Sequence, residues 1–283
     1  MGLCCGISKI ARLCLDVCVM ETISTDNDNR GLRGVTLVDN KLFVLQQRDA
    51  NQVAVYSIND YGLLYHLDLP HFKPDSHSDL TSCVRYKCLY MSDSGNRCIH
   101  RYDLATSVTS KWKPPSAKPV GLSVTFNCNL LVTCRQPNKL VEMRATSGQC
   151  VREIALQSDI VRPWHGVQLT NGQFVVSHGS YGSLHRVCIV DGDGTVIRSY
   201  GGKCGSDADQ LALPCHVAVD NDSHFIFVAD CLNRNVTLLS PALEYVCCTS
   251  KGNTRPCRLH LDHATRRLYV GQSLDAELLI QIV

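Results

Sequence analysis

The chain has 283 residues, of which 45% are hydrophobic, and its formal net charge is +2. This apolar content suffices for a large buried core and excludes a disordered polymer, while the near-neutral charge excludes a protein that binds nucleic acid through a large overall excess of positive charge. No segment reaches the roughly 20 consecutive apolar residues of a membrane-spanning helix, so we predict no integral membrane association.

The first residues are predicted to form a tail. The apolar run near the N-terminus is interrupted by three charged residues, Lys9, Arg12 and Asp16, which disfavours a secretory signal. Gly2 followed by Cys4 and Cys5 resembles a doubly acylated terminus, but residue 6 is Gly where that motif has Ser or Thr. Lipidation stays an alternative, and we predict a tail over residues 1–12 and one domain over residues 13–283.

A short apolar strand occurs six times along the chain. The six copies are Leu42–Leu45, Leu89–Ser92, Leu130–Thr133, Phe174–Ser177, Ile226–Ala229 and Leu268–Gly271. Their third residues lie 47, 41, 44, 52 and 42 residues apart. A drifting period in the forties, built from short strands and turns, is typical of a β-propeller.

The fifth copy shows all four strands of one blade. Apolar, β-rich runs at residues 214–220, 225–229, 236–239 and 245–248 alternate with turns that contain Asp, Asn, Ser and Pro. This pattern predicts a meander of four antiparallel strands.

The two ends of the chain are predicted to complete one blade together. The sixth copy stops at its third strand, Leu278–Val283, and an unpaired strand candidate, Leu13–Val19, precedes the first copy. Docking that segment as the missing outer strand would close the ring and protect an open edge. The expected fold is all-β: a complete six-bladed β-propeller of four-stranded antiparallel blades, closed by an N-terminal strand on the last blade.

The 17 cysteines form no recognisable disulfide framework. Several, such as Cys98 and Cys188, stand where a strand wants a small hydrophobic residue, which indicates reduced core thiols and a cytoplasmic protein. No Cys-x-x-Cys pair occurs, and the Asp-Gly-Asp-Gly run at residues 191–194 is expected to be a hairpin turn rather than a calcium loop. We therefore predict no cofactor and no metal.

The repeats resemble the NHL-repeat family, and in particular the propellers of TRIM-NHL-type proteins. The segments that carry the resemblance are Pro214–Asp220, Phe227–Asp230 and Asn233–Arg234 in the fifth copy, Ser92–Ile99 in the second, and Arg162–Val167 and Gly172–Gly179 in the fourth. The resemblance implies a propeller that recruits a protein, such as a ubiquitin-ligase substrate, or an RNA. The RING and B-box metal spacings that supply ligase activity in that family are absent from this chain.

Strand direction assigns the loops to two faces. We call "top face" the side that carries the loops leading into the first strands and the turns between second and third strands. Basic and aromatic residues predicted there, and proposed as partner-binding candidates, are Arg33, Arg48, Arg97, Lys118, Arg135, Lys139, Arg162, Trp164, His165, His178, His216, Arg234, Arg255 and Arg258. Such a face would favour an anionic partner, with Trp164 and Arg162 as anchors.

A protein partner is the leading expectation, and single-stranded RNA is the alternative, which the scarcity of aromatic residues disfavours. These residues would have a purely structural explanation if the arginines pair with carboxylates in the turns and Trp164 packs between blades.

An enzyme is the alternative of another class. His165 and His216 each follow a Pro by two residues and are expected near the top of the central channel. This arrangement resembles that of a zinc-dependent peptidyl-α-hydroxyglycine lyase, and another propeller enzyme is the other possibility in this class. The equivalent positions in the other copies are Gly34, Ser82, Gly121 and Arg258, which make a poor three-ligand ring. No nucleophile elbow, phosphate loop or His-Glu-x-x-His segment occurs. The sequence thus predicts a non-catalytic interaction module, not an enzyme.

Overall fold

The protein is described by a computed structural model. It describes residues 19–24, 31–46, 52–180, 184–249, 255–273 and 277–283. In these residues the chain forms six four-stranded antiparallel sheets, which confirms the predicted six-bladed propeller. Within the same ranges there is no helix of the length and apolarity needed to cross a membrane.

The strands follow one another blade by blade. Strand β1 (Val19–Ser24) comes first. Blade 1 contains β2 (Leu32–Val38), β3 (Lys41–Gln46), β4 (Gln52–Ser57) and β5 (Leu63–Asp68), and blade 2 contains β6 (Leu80–Cys83), β7 (Cys88–Asp93), β8 (Cys98–Asp103) and β9 (Thr109–Trp112). Blade 3 contains β10 (Lys118–Val124), β11 (Leu130–Arg135), β12 (Lys139–Met143) and β13 (Cys150–Ala155). Blade 4 contains β14 (Pro163–Gln168), β15 (Phe174–His178), β16 (His185–Val190) and β17 (Val196–Gly202). Blade 5 contains β18 (Pro214–Val219), β19 (Ile226–Asp230), β20 (Asn235–Leu239) and β21 (Tyr245–Cys248), and blade 6 contains β22 (Pro256–Asp262), β23 (Arg267–Gln272) and β24 (Glu277–Ile282).

Burial differs between the inner and outer strands of a blade. Four of the six second strands, β7, β11, β15 and β19, are buried along their whole length, and β3 and β23 are buried after their first residue, because neighbouring blades cover both of their faces. The outer strands β5 and β13 are mostly exposed. This difference explains why the six apolar second strands carry the repeat, while the fourth strands are hard to recognise in the sequence.

The ring closes through the N-terminal strand. β1 pairs antiparallel with β24, with Thr22 opposite Leu279 and Ser24 opposite Glu277. The strand begins at Val19, so only that residue belongs to the predicted segment, and residues 13–18 lie outside the described part. The closure protects the outer edge of blade 6, as the strand count predicts.

No disulfide joins two of the thirteen described cysteines, and eight of them are buried. Cys98 and Cys188 both lie fully buried in third strands. The described part of the chain therefore uses cysteine as a small core residue, in agreement with the interpretation of the sequence.

Candidate functional site

The first strands share a local irregularity that directs side chains toward the propeller axis. Five of the six contain a β-bulge one residue before a position that faces the axis; these positions are Gly34, Gly121, His165, His216 and Arg258. A bulge re-aims the side chain that follows it. The glycines allow the neighbouring blade to pack closely: a Cβ on Gly121 would lie only 2.3 Å from the carbonyl oxygen of Trp164 in blade 4.

Blade 2 lacks this bulge and contributes Asp79 instead, from the residue before β6. Asp79 Oδ1 accepts a hydrogen bond from its neighbour Leu80 N at 2.9 Å, and Oδ2 accepts one from Leu122 N of blade 3 at 2.8 Å. Arg258 Nε lies 3.2 Å from Oδ1. His216 Nε2 and His165 Nε2 lie 3.6 Å and 3.9 Å from Oδ2. We call Asp79, His165, His216 and Arg258 the axial cluster.

Arg258 ties three blades together at the axis. Its guanidinium donates to the carbonyl oxygens of Arg33, Cys257 and Ser78 at 2.7–2.8 Å, in addition to the contact with Asp79. Because all of these partners are backbone or buried carboxylate oxygens, Arg258 is fully engaged inside the fold. Its first role is to hold blades 1, 2 and 6 in place around the channel.

The hydrogen bonds fix the protonation of the two histidines. Nε2 of His165 donates to the carbonyl oxygen of Leu122 at 3.0 Å, which leaves Nδ1 as a lone pair; within the described residues that buried atom has no partner. Nδ1 of His216 accepts from Leu259 N at 3.4 Å, so its Nε2 carries the proton that faces Asp79. Burial lowers the pKa of His216, and burial together with the neighbouring His216 lowers the pKa of His165 to about 3. Both imidazoles are neutral at pH 7.

Asp79 stays ionised although it is fully buried. Burial alone would raise the pKa of its carboxyl group, but the interactions with His216 and Arg258 outweigh burial and hold that pKa well below the usual range. The axial cluster therefore contains one carboxylate, one guanidinium and two neutral imidazoles, and it carries no net charge.

These residues do not fit a shared metal ion, although three of them are potential ligands whose donor atoms lie close together. The rings of His165 and His216 are stacked, with centroids 3.6 Å apart and planes inclined by 19°. Two parallel imidazoles cannot both direct an in-plane lone pair at one ion, and the nearby guanidinium would repel a cation. The chemistry available is acid–base chemistry at a buried imidazole.

A second concave site lies beside the axis on the top face. A pocket of about 320 Å³ is lined by His77, Lys118, Arg135, Gln136, Pro137, Asn138 and Arg162. Three of these side chains are cations and none is a carboxylate. We call this site the basic pocket.

Arg135 forms the buried wall of the basic pocket. Its guanidinium carbon lies 3.9 Å from the centroid of the Trp164 ring, and its Nε donates to the carbonyl oxygen of Pro163 at 2.9 Å. Its terminal Nη2 is buried and has no hydrogen-bond partner within the described part of the chain. Burial, and then the charges of Arg162 and Arg258, lower the pKa of Arg135 to about 10. Positive charge is thus crowded in the basic pocket, and no carboxylate lines it.

The remaining predicted residues do not form one continuous basic surface. Arg97 and Arg234 are exposed in second-to-third turns, and Arg33 and Arg255 are half-buried. Lys139 is buried because it pairs with Glu153 and donates to the carbonyl oxygen of Pro115, and His178 is buried beside Arg186, so neither belongs to an exposed binding face. Arg48 lies outside the described residues.

Two ionisable residues of these sites, Asp79 and His77, were missed by the sequence analysis. In four of the other blades a Pro precedes the bulge of the first strand, whereas blade 2 has the polar pair Ser78 and Asp79 at this point. This departure from the repeat was the feature of the sequence that could have identified Asp79. His77 stacks on Trp164, with centroids 5.7 Å apart and planes inclined by 9°. It comes from the loop before β6, and no repeat pattern marks it.

Comparisons with known proteins show the fold but no family. No protein-family model and no curated protein sequence matches the chain. Among solved structures, the propeller is similar to a catalytically inactive histidine-to-alanine variant of virginiamycin B lyase from Staphylococcus aureus with quinupristin, at 11% identity over 93% of this chain and 98% of that chain, with a TM-score of 0.65. It is also similar to selenomethionine-substituted virginiamycin B lyase from the same organism, at 13% identity over 93% and 99% of the two chains, with a TM-score of 0.64.

These findings change two conclusions drawn from the sequence. The NHL-type resemblance reduces to the six-bladed propeller itself, because no family model supports the finer assignment. The prediction that the chain is not an enzyme is contradicted, since both neighbours are an enzyme with this architecture. A missing nucleophile elbow or phosphate loop is no ground for excluding catalysis on a propeller, where function depends on the site rather than on the fold.

Proposed function

We propose that the top face binds a carboxylate-rich segment of a protein partner, with the basic pocket as the recognition site. The observation that carries this proposal is Arg135, a buried guanidinium whose Nη2 lacks an acceptor within the described residues and whose neighbours Lys118 and Arg162 are also cations. A buried donor without a partner costs about 1–3 kcal/mol, and more when it is charged. A carboxylate in the pocket would remove that cost and reduce the repulsion among the three cations.

The surroundings of Arg135 favour a peptide over single-stranded RNA. Binding of single strands depends on aromatic side chains whose faces are free to stack with bases. One face of Trp164 is covered by Arg135. The exposed aromatic residues of the described part, Tyr65, Phe126 and Tyr245, lie on outer strands or in a bottom turn.

The proposal is tested with labelled peptides and fluorescence anisotropy. A short Glu-rich peptide should bind, and the same peptide with Gln in place of Glu should not. Lys118→Glu and Arg162→Glu should each weaken binding by about tenfold, the equivalent of about 1.4 kcal/mol. Arg144→Glu is the matched control, because Arg144 is an exposed arginine of the opposite face, in the turn between β12 and β13.

Three results would overturn the proposal. Equal binding of the Glu and Gln peptides would remove the role of charge. An equal loss in Arg144→Glu would show only an effect of net charge. Tighter binding of a randomised single-stranded RNA pool, weakened by the two top-face reversals, would assign the pocket to nucleic acid instead.

A second candidate function is lyase-type acid–base catalysis at the axial cluster. It is favoured by the unpartnered lone pair on His165 Nδ1, among the described residues, and by the similar propeller that a single histidine substitution makes catalytically inactive. Incubation with quinupristin, followed by chromatography, tests it. Consumption that is lost in His165→Ala and His216→Ala would support catalysis at the axis, and an intact substrate would refute a shared reaction.

A further inference from the structure

A second group of metal-binding side chains lies in blade 2, away from the axis. Asp93 ends β7, Cys98 begins β8 directly opposite it, and His100 follows two residues later on the same face of that strand. His100 Nε2 lies 3.2 Å from Asp93 Oδ2 and 3.7 Å from Cys98 Sγ. All three residues are buried.

Blade 5 shows that the turn itself does not require these residues. Asp230 occupies the position of Asp93, and Asn233 donates to it as Asn96 donates to Asp93. The residues opposite and two positions later are Asn235 and Thr237, which bond to each other at 3.1 Å. The carboxylate is thus the common feature of the turn, whereas the thiol and the imidazole are additions in blade 2.

We propose that Asp93, Cys98 and His100 bind one Zn²⁺ ion. Tetrahedral zinc with bonds of about 2.0–2.3 Å places nitrogen and oxygen ligands about 3.4 Å apart, and nitrogen and sulfur ligands about 3.5 Å apart. The distances of 3.2 Å and 3.7 Å each lie within about 0.2 Å of these values, and the donor atoms of Asp93 and Cys98 lie within 4.8 Å of each other. Three protein ligands leave the fourth position for water.

Charge and surroundings fit this assignment. A carboxylate, a thiolate and a neutral imidazole together neutralise a divalent ion, and the proton leaves the Cys98 thiol for solvent when the metal binds. His100 then carries its remaining proton on Nδ1 and offers Nε2 to the metal. Phe72 packs against the imidazole with centroids 5.1 Å apart, and Asn96 Nδ2 holds Asp93 Oδ2 at 2.9 Å, so both ligands are oriented. Lys111, which lies opposite His100 on the neighbouring strand β9, is exposed.

The axial cluster provides an internal contrast. It is the other group of close metal-binding side chains in the described residues, but its stacked rings and Arg258 oppose a cation. The blade 2 group has no guanidinium partner and no stacked ligand pair among these residues. Zinc should therefore select blade 2 over the axis.

Cobalt and zinc titrations of the metal-free chain test this site. The whole chain is treated with chelator and then titrated with Co²⁺, which should give a thiolate-to-cobalt charge-transfer band at one equivalent and intense tetrahedral d–d bands. Added Zn²⁺ should displace the cobalt. Cys98→Ala should abolish the band, and His100→Gln should weaken zinc binding at least about a hundredfold, measured by competition with a chromophoric chelator.

Cys188→Ala is the matched control, since Cys188 is a buried thiol at the position of blade 4 that corresponds to His100. It should leave the band unchanged. Circular dichroism establishes that each variant is folded, and zinc should raise the Tm of the wild type but not of Cys98→Ala. No thiolate band, a band that survives Cys98→Ala, or equal loss in Cys188→Ala would overturn the proposal.

Discussion

The axial ion pair makes a quantitative prediction about stability. Asp79→Asn removes a carboxylate that is 1% exposed and leaves Arg258, itself 5% exposed, without its counter-charge. Breaking a buried pair by neutralising one partner costs about 3–5 kcal/mol, because the other charge stays buried and uncompensated. The Asn amide can also accept only one of the two hydrogen bonds that Leu80 and Leu122 donate to Asp79. We expect the free energy of unfolding to fall by about 3–5 kcal/mol.

Equilibrium unfolding in urea measures this loss as a lower midpoint at unchanged slope. The control is Asp39→Asn, which breaks a shorter but exposed pair with Lys87 at 2.9 Å and should cost less than about 1 kcal/mol. The double variant Asp79→Asn with Arg258→Met leaves no charge buried alone. Its loss in the free energy of unfolding should therefore be about 2 kcal/mol smaller than the sum of the losses in the two single variants. A loss below about 1 kcal/mol in Asp79→Asn, or additive single effects, would refute a cluster held together by this pair.

Three further predictions concern titration, packing and thiol exposure. Burial is the main reason that the pKa of His165 is lowered to about 3 and that of His178 to about 4, so the unfolded chain binds more protons than the folded chain below pH 6.5. The free energy of unfolding should therefore be highest above pH 6.5 and fall by about 1.4 kcal/mol per pH unit per histidine toward pH 4. His178→Gln should make the midpoint of urea unfolding less dependent on pH. Gly121→Ala should lower the Tm sharply, because its Cβ would lie 2.3 Å from a backbone oxygen of blade 4, and an unchanged Tm would contradict that packing. Cys204 and Cys248, the exposed thiols of the described part, should be alkylated first by iodoacetamide in the native state, as mapped by peptide mass spectrometry, and faster labelling of buried thiols would contradict the assigned burial.

The fold could be predicted from the sequence because the repeated element is the most buried one. Second strands such as β11 and β19 are covered on both faces, so each carries a short, mostly apolar run, and six such runs determine the number of blades. The closing strand was predicted with less accuracy. An edge strand is buried on one side only, so its pattern of apolar residues is weaker. The predicted segment therefore ended at Val19, the residue at which β1 begins.

The candidate sites were predicted only in part, for a geometric reason. Aligned copies place His165, His216 and Arg258 at one level because the same bulge precedes each of them. Asp79 falls out of that alignment because β6 has no bulge. The proposed metal site of blade 2 was not predicted, for a different reason: its ligands lie on two paired strands and do not form a Cys-x-x-Cys motif.

The bulge in β14 also connects the two top-face sites. Trp164 and His165 are consecutive residues, and the bulge at this point sends the indole under Arg135 and the imidazole to the axis. The indole Nε1 donates to the carbonyl oxygen of Gly179 at 2.8 Å, so this short segment is fixed to the neighbouring strand end of its own blade. A ligand that draws Arg135 away from the indole would therefore act on the peptide that positions His165. Measurements on Trp164 variants must accordingly follow both anion binding and the axial histidines, because one backbone segment holds both.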